Sequence, residues 1–223
     1  MILTIDEILT SEEHQQLIKS LSQGNFVDGQ TTAGWHAKLV KHNTQLERGT
    51  SQFPKLTNLV TNALQRHLLF KLAVQPKYIH SLRFSRYEKG MSYGSHTDNA
   101  LMGSGKQIFR SDVSFTLFLS SAHSYSGGEL VIEKPEGELR YKLEARSILL
   151  YPSSFLHRVE PVIDGTRLVV VGWIESLIRD DNKREILFDI DTVRRSIFAK
   201  EGKTVEFDLL AKTHANLLRQ WAE

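Results

Sequence analysis

The pentapeptide Ser95-His96-Thr97-Asp98-Asn99 sets an imidazole and a carboxylate two positions apart, so in extended backbone both leave the same face. Alone this decides little, because nine histidines are present and both residue types are common in turns. A second histidine stands in SILLYPSSFLHRVEPV, where an apolar run and a Pro-Ser turn lead to His157, 61 residues beyond His96. Ten residues later Arg167 opens RLVVVGWIES. A lone guanidinium among such neighbours costs several kcal/mol unless an anion faces it, and no obvious partner occurs in the sequence, which favours a ligand.

Two histidines and one carboxylate with coordination positions left open form the facial arrangement of non-haem Fe(II) oxygenases. The planar fork of an arginine matches a carboxylate. His96, Asp98 and His157 are therefore the candidate metal ligands, and Arg167 is the candidate anchor for 2-oxoglutarate, with dioxygen as the further reactant. Each residue also has a plainer reading. His157 could be a core or turn histidine bonded to a backbone carbonyl, and it is the arginine downstream and the His-Thr-Asp upstream that favour a ligand. Tyr87 and Tyr93 could aim a hydroxyl at the cosubstrate or simply pack; Tyr87 is the one carried forward as a cofactor contact. Arg83, Arg86 and Arg110 read as solvated charges or as the lining of a substrate mouth, the solvated role preferred. Asn99 is explained by a turn, and Gly127-Gly128 by a hairpin loop. His14, His36, His42, His67, His80, His123 and His214 lack partners at ligand spacing and receive no chemistry.

The elements that must position these residues fall into three zones. Up to about residue 76 the period is mostly helical. Thr10 and Glu13 form a capping-box pair, and Pro54 opens a second segment with Leu56, Leu59, Val60, Ala63, Leu64 and Leu68 on one stripe. From about 78 to 176 come short β-type runs: YIHSLRFSRY, VSFTLFLS, GELVIE, LRYKLE, SILLYP and RLVVVGWIES, with KPEGE joining a hairpin. Many strands without intervening helices point to a sandwich or barrel. Beyond 177 two helical stripes follow, Ile186, Ile190, Val193 and Ile197 up to Gly202, then Leu210, His214, Leu217 and Trp221. These could pair with each other, with the N-terminal helices, or across a homodimer.

At 223 residues, 40% hydrophobic and 24% charged, the chain has the composition of a folded protein with one main domain. A net charge of +2 supplies no large field for nucleic acid or an anionic membrane surface. With no cysteine, disulfides, iron–sulfur clusters and thiolate zinc sites are excluded, so a metal must use His, Asp or Glu. No export signal is visible at the N-terminus, and runs such as LVVVGWI fall short of the roughly 20 residues that cross a bilayer. The expectation is a cytoplasmic protein.

The strings RFSRYEKGMSYGSHTDNALM, RSDVSFTLFLS, YSGGELVIE, LYPSSFLHRVEPVIDGTR and WIESLIRDDNKREILFDID together resemble the bacterial PKHD-type hydroxylases, relatives of the prolyl 4-hydroxylase branch of the Fe(II)/2-oxoglutarate dioxygenases. The resemblance runs from about residue 1 to past 200. It implies a double-stranded β-helix, or jelly roll, mainly β with flanking helices, with residues 1–177 forming the oxygenase domain and 178–223 a C-terminal helical extension. It also implies a small-molecule or peptidyl substrate, release of succinate and CO2, ascorbate as a further cofactor, and a link to iron homeostasis. A rival from another class is a cupin-like metal-binding or sensor protein without oxidative turnover. One departure is visible: Glu144-Ala145-Arg146 stands where such sequences often place Gly, which bears on the turn there.

Overall fold

Every residue of the strand Val113–Phe118 is buried, which requires cover on both faces. In the computed structural model, which describes residues 1–105 and 107–223, helices cover one face. Val113, Phe115 and Leu117 join Leu17 and Leu21 of α1 (Ser11–Ser22), Leu56, Val60 and Leu64 of α2 (Gln52–Arg66) and Phe70 of α3 (Leu68–Val74) in one apolar cluster. On the other face Phe118, with Leu149, Tyr151 and Val169, packs against Leu130, Ile132 and Val159 of a second sheet. Helices, large sheet and small sheet thus form three layers. Each fully buried aliphatic side chain contributes about 1.5–3 kcal/mol.

In spatial order the large sheet holds Leu3–Ile5, Ile148–Pro152, Val113–Phe118, Arg167–Ser176, Pro76–Tyr87, Thr44–Leu46 and Phe26–Asp28. The small sheet holds Gly137–Tyr141, Leu130–Lys134, Leu156–Val159, Ser92–His96 and Lys41–His42. Pairing is antiparallel in both, and from Pro76 to Ser176 the chain crosses repeatedly from one sheet to the other, as in a jelly roll. The segment 41–46 closes one side: Lys41 pairs with Tyr93 in the small sheet, while Thr44 and Gln45 pair with Arg86 and Ser85 in the large one.

Local chemistry explains the helix ends. The Glu13 amide donates to Thr10 Oγ1 at 3.2 Å and the Thr10 amide to Glu13 Oε2 at 2.9 Å, a cap worth about 1 kcal/mol. α4 (Asp181–Glu201) stops at Gly202, as its sequence predicts, and α5 (Val205–Trp221) starts at the cap Thr204. No helix among the described residues is long and apolar enough to cross a membrane.

Several elements differ from the sequence expectation. α2 begins at Gln52, with Pro54 inside its first turn, and it ends at Arg66 because His67 takes extended backbone; Leu68 therefore opens α3 and is 51% exposed. The strand expected over LRYKLE is Gly137–Tyr141. Four short strands lie in the zone that reads as helical, since two or three residues carry no detectable period. On α4 the inward face is Arg184, Leu187 and Asp191, whereas Ile186 and Val193 are about half exposed. Ion pairs make this possible: Arg184 pairs with Asp181 and donates to the Ile178 carbonyl at 2.6 Å, and Asp191 accepts from Arg194 and Arg195.

Gly127 and Gly128 form a corner instead of a hairpin loop. Tyr125–Gly127 pairs with Val162–Gly165, and both glycines take positive φ, +70° and +68°. At the departure from the family pattern, Arg146 itself adopts φ 76°. Its amide donates to the Phe118 carbonyl at 2.8 Å, and its guanidinium bonds Glu7 at 2.9 Å and Ser11 at 3.2 Å, contacts that offset left-handed strain of about 1–2 kcal/mol.

Candidate metal centre

His96 is the last residue of Ser92–His96, and it lies opposite His157 of Leu156–Val159 in the antiparallel pairing. Asp98 sits two residues past the strand end, in irregular chain, with its carboxylate near both rings. Ligand-type atoms of the three residues all lie within 4.8 Å of one another, with His157 Nε2 3.8 Å from Asp98 Oδ2. The structure thus brings together the three residues that the sequence singles out.

Neighbouring groups orient all three side chains. His96 Nδ1 donates to the Gly94 carbonyl at 2.8 Å, and His157 Nδ1 donates to the Phe155 carbonyl at 3.0 Å. A carbonyl can only accept, so the proton sits on Nδ1 and each Nε2 lone pair is free for a metal. Ser114 Oγ donates to Asp98 Oδ2 at 2.5 Å and lies 2.7 Å from Ser153 Oγ, which fixes the carboxylate. The Tyr93 ring stacks on His96 with centroids 3.6 Å apart. Burial, with the neighbouring His157 adding to it, pushes His96 down to about 4, keeping a neutral imidazole at physiological pH.

The triad opens into a cavity of about 440 Å³ that Arg167, Tyr87 and Tyr151 also line. Arg167 is 1% exposed, and its Nε and Nη1 have no hydrogen-bond partner. The guanidinium carbon lies 5.0 Å from the Tyr87 ring centre and 5.5 Å from that of Phe118, so the fork is held by two aromatic faces. A buried cation with unmet donors is the cradle that a carboxylate fills. Tyr87 is buried beside it, opposite Arg167 across adjacent strands, and burial raises its hydroxyl pKa. The structure thus gathers His96, Asp98, His157, Arg167 and Tyr87 around one space.

The remaining candidates separate. Arg110 is structural, bonded to Asp112 and to the Ser176 carbonyl, and Arg86 lies over the Phe26 ring. Arg83, which the sequence reads as a solvated charge ahead of a mouth lining, lines the cavity. His80 stacks on Phe109, and His14 Nε2 reaches the Leu119 carbonyl at 2.8 Å. Sequence reasoning missed Ser114 and Ser153, the buried Lys41 and Asn43 of the cavity wall, and Gly128, where an added Cβ would meet Arg167 Cδ at 3.1 Å. Alternation in VSFTLF, which sends Ser114 and Thr116 to the face opposite Phe115 and Leu117, was the one signal available for the serine.

Comparison with known proteins agrees with this geometry. Residues 82–175 match the model of the 2OG-Fe(II) oxygenase superfamily, and residues 181–223 match that of the PKHD-type hydroxylase C-terminal domain. A PKHD-type hydroxylase of Crocosphaera subtropica is 76% identical over the full length of both chains, and one of Rippkaea orientalis is 66% identical, again over both whole chains. A Trichoplax adhaerens prolyl hydroxylase, solved with a hypoxia inducible factor peptide fragment, is similar in fold: TM-score 0.57 at 13% identity, over 83% of this chain and 86% of that one. Identity along the whole chain, with a matching fold and a His-Asp-His triad in place, makes this protein a member of the PKHD-type hydroxylases, Fe(II)- and 2-oxoglutarate-dependent dioxygenases.

Proposed function

We propose that His96, Asp98 and His157 hold Fe(II), that Arg167 anchors the distal carboxylate of 2-oxoglutarate with Tyr87 beside it, and that the protein hydroxylates an unidentified small-molecule or peptidyl substrate. The observation that carries this reading is the unpartnered Arg167 fork buried in the same cavity as the triad. Bound Fe(II) and 2-oxoglutarate supply the oxidising chemistry, in which dioxygen is consumed and succinate and CO2 are released. The protein's own residues orient and enclose. Arg167 fixes one end of the cosubstrate so that its keto acid end faces the triad, and the Ser114–Asp98 bond holds the ligand set in register. Tyr87, Tyr151, Leu130 and Val159 keep bulk water from the inner end.

A cupin-like metal-binding or sensor protein without turnover would share the sandwich and the triad. It would have no use for a guanidinium buried with unmet donors, and that observation favours the dioxygenase. As parts of the same proposal, residues 1–177 are the catalytic unit and 178–223 an extension whose exposed apolar face pairs two copies. The protein works in the cytoplasm, uses ascorbate to keep iron ferrous, has no nucleic-acid partner, and serves iron homeostasis. Succinate formation and oxygen uptake with Fe(II) and 2-oxoglutarate, compared between wild type and His157→Ala, test the reaction. Untargeted mass spectrometry for a metabolite or peptide that gains one oxygen atom only with the wild type identifies the substrate. No succinate above the variant's level would overturn the reading.

A further inference from the structure

The walls of the cavity carry more positive charge than the proposed cofactors can use. Lys41, Arg48, Arg83 and Arg167 line it, against Asp98 as the one acid among its described lining residues. None of these four cations is ion-paired among the described residues, whereas Arg66, Arg110, Arg146, Arg158 and Arg184 all have carboxylate partners. Fe(II) and the dianion 2-oxoglutarate cancel each other, and Asp98 offsets one cation. Three positive groups remain.

Their placement spreads these charges along the cavity wall. Ser81, Arg83, Ser85 and Tyr87 share the inner face of Pro76–Tyr87, while Leu82 and Phe84 face the helices. Tyr87 lies opposite Arg167, so Arg83 stands four residues, about 13 Å, from the cosubstrate end. With Arg167 assigned to the cosubstrate, Arg83 has no anionic partner among the described residues. Arg83 is level with Val171 and, one strand further, with Thr116, two residues from the Ser114 that grips Asp98. It therefore lines the cavity floor between the level of Arg167 and that of Ser114. Its Nη1 donates to the Ser81 and Leu82 carbonyls at 2.8 and 3.1 Å, while its Nε is buried without a partner. Arg48 follows Thr44–Leu46, the strand beside Pro76–Tyr87, and lies 5.9 Å over the Phe53 ring.

We infer that the substrate is an anion, a carboxylate or phosphate held by Arg83 with Arg48 next to it, whose neighbouring C–H bond lies between Arg83 and the His96–Asp98–His157 triad. The inference rests on the cosubstrate assignment above and extends it to a second part of the same cavity.

The test uses the full chain loaded with Zn(II) and 2-oxoglutarate, which occupies the Arg167 end and prevents turnover. Binding of phenylacetate, phenyl phosphate and the neutral phenylacetamide is measured by calorimetry. At least one anion is expected to bind about tenfold or more tightly than the amide, and the tighter of the two names the head group. Arg83→Gln should erase that preference and Arg48→Gln should reduce it, the second variant guarding against loss of the Arg83 backbone contacts. Titration of 2-oxoglutarate into the Zn(II) forms reports separately on the first site: no binding by wild type overturns the cosubstrate reading. If 2-oxoglutarate binds, then equal or absent binding of anion and amide, or a preference that survives in both variants, overturns this inference alone.

Discussion

Ser114 Oγ donates to Asp98 Oδ2 at 2.5 Å, and Ser153 stands 2.7 Å behind it, so the one carboxylate of the triad is oriented by a strand in the opposite sheet. Ser114→Ala removes this bond while changing little volume. It should weaken Fe(II) or Zn(II) binding about 10- to 100-fold with folding retained, as read by metal titration beside circular dichroism. An unchanged metal affinity would show that Asp98 needs no such support.

Arg167→Ala should weaken 2-oxoglutarate by roughly 30-fold or more, because loss of a buried charge-assisted partner costs about 2–5 kcal/mol. Metal binding by the triad should persist. Arg167→Lys should recover only part of the affinity, since an ammonium cannot reproduce the fork held between Tyr87 and Phe118. Titration of 2-oxoglutarate into the metal-loaded variants distinguishes these outcomes, and a lysine variant equal to wild type would remove the geometric argument.

Gly128→Ala places a methyl 3.1 Å from Arg167 Cδ and 3.0 Å from Val162 Cγ2, at φ +68° where alanine is strained. It should cost about 1–2 kcal/mol of stability and also lower 2-oxoglutarate affinity. A purely local turn effect would move the denaturation midpoint and leave cosubstrate affinity as it was.

In the metal-free protein burial, with neighbouring His157 adding to it, pushes His96 down from its ordinary 6.5 to about 4. Between these values the unfolded chain takes up the proton before the folded one does, so His96 contributes stability that is whole above pH 6.5 and is lost as pH falls towards 4. Urea unfolding of the chelator-treated protein at several pH values should show this slope. His96→Gln should flatten it, and an equal slope in the variant would place its source elsewhere.

Ile186 and Val193 of α4 and Val205 and Leu209 of α5 are 46%, 50%, 71% and 53% exposed. Under the proposed pairing of two copies, sedimentation of the wild type should give a dimer. Ile186→Glu combined with Val193→Lys should give a monomer that still binds metal. A monomeric wild type at tens of micromolar would end the proposal.

Much of the site was legible in the chain because its chemistry is local in type. His96 and Asp98 sit at a spacing that suits convergent ligands, and Arg167 opens an apolar strand where a charge demands a partner. The capping box at Thr10, the end of α4 at Gly202 and the strand alternation follow from backbone and burial periods alone. What the sequence could not hold is which separated residues face one another. The opposition of His96 and His157 is a matter of register between strands 61 residues apart, and the Ser114–Asp98 bond depends on two sheets closing over one cavity. Arg83 reads as a surface charge until the fold turns its face of the strand inward. The buried side of α4 likewise follows from ion pairs made after packing, which let Arg184 and Asp191 replace the isoleucine stripe. Composition and periodicity set the elements and the ligand types. Only the tertiary structure decided their partners, because distance in space, not in sequence, determines which charges are screened by water and which must be met by another group.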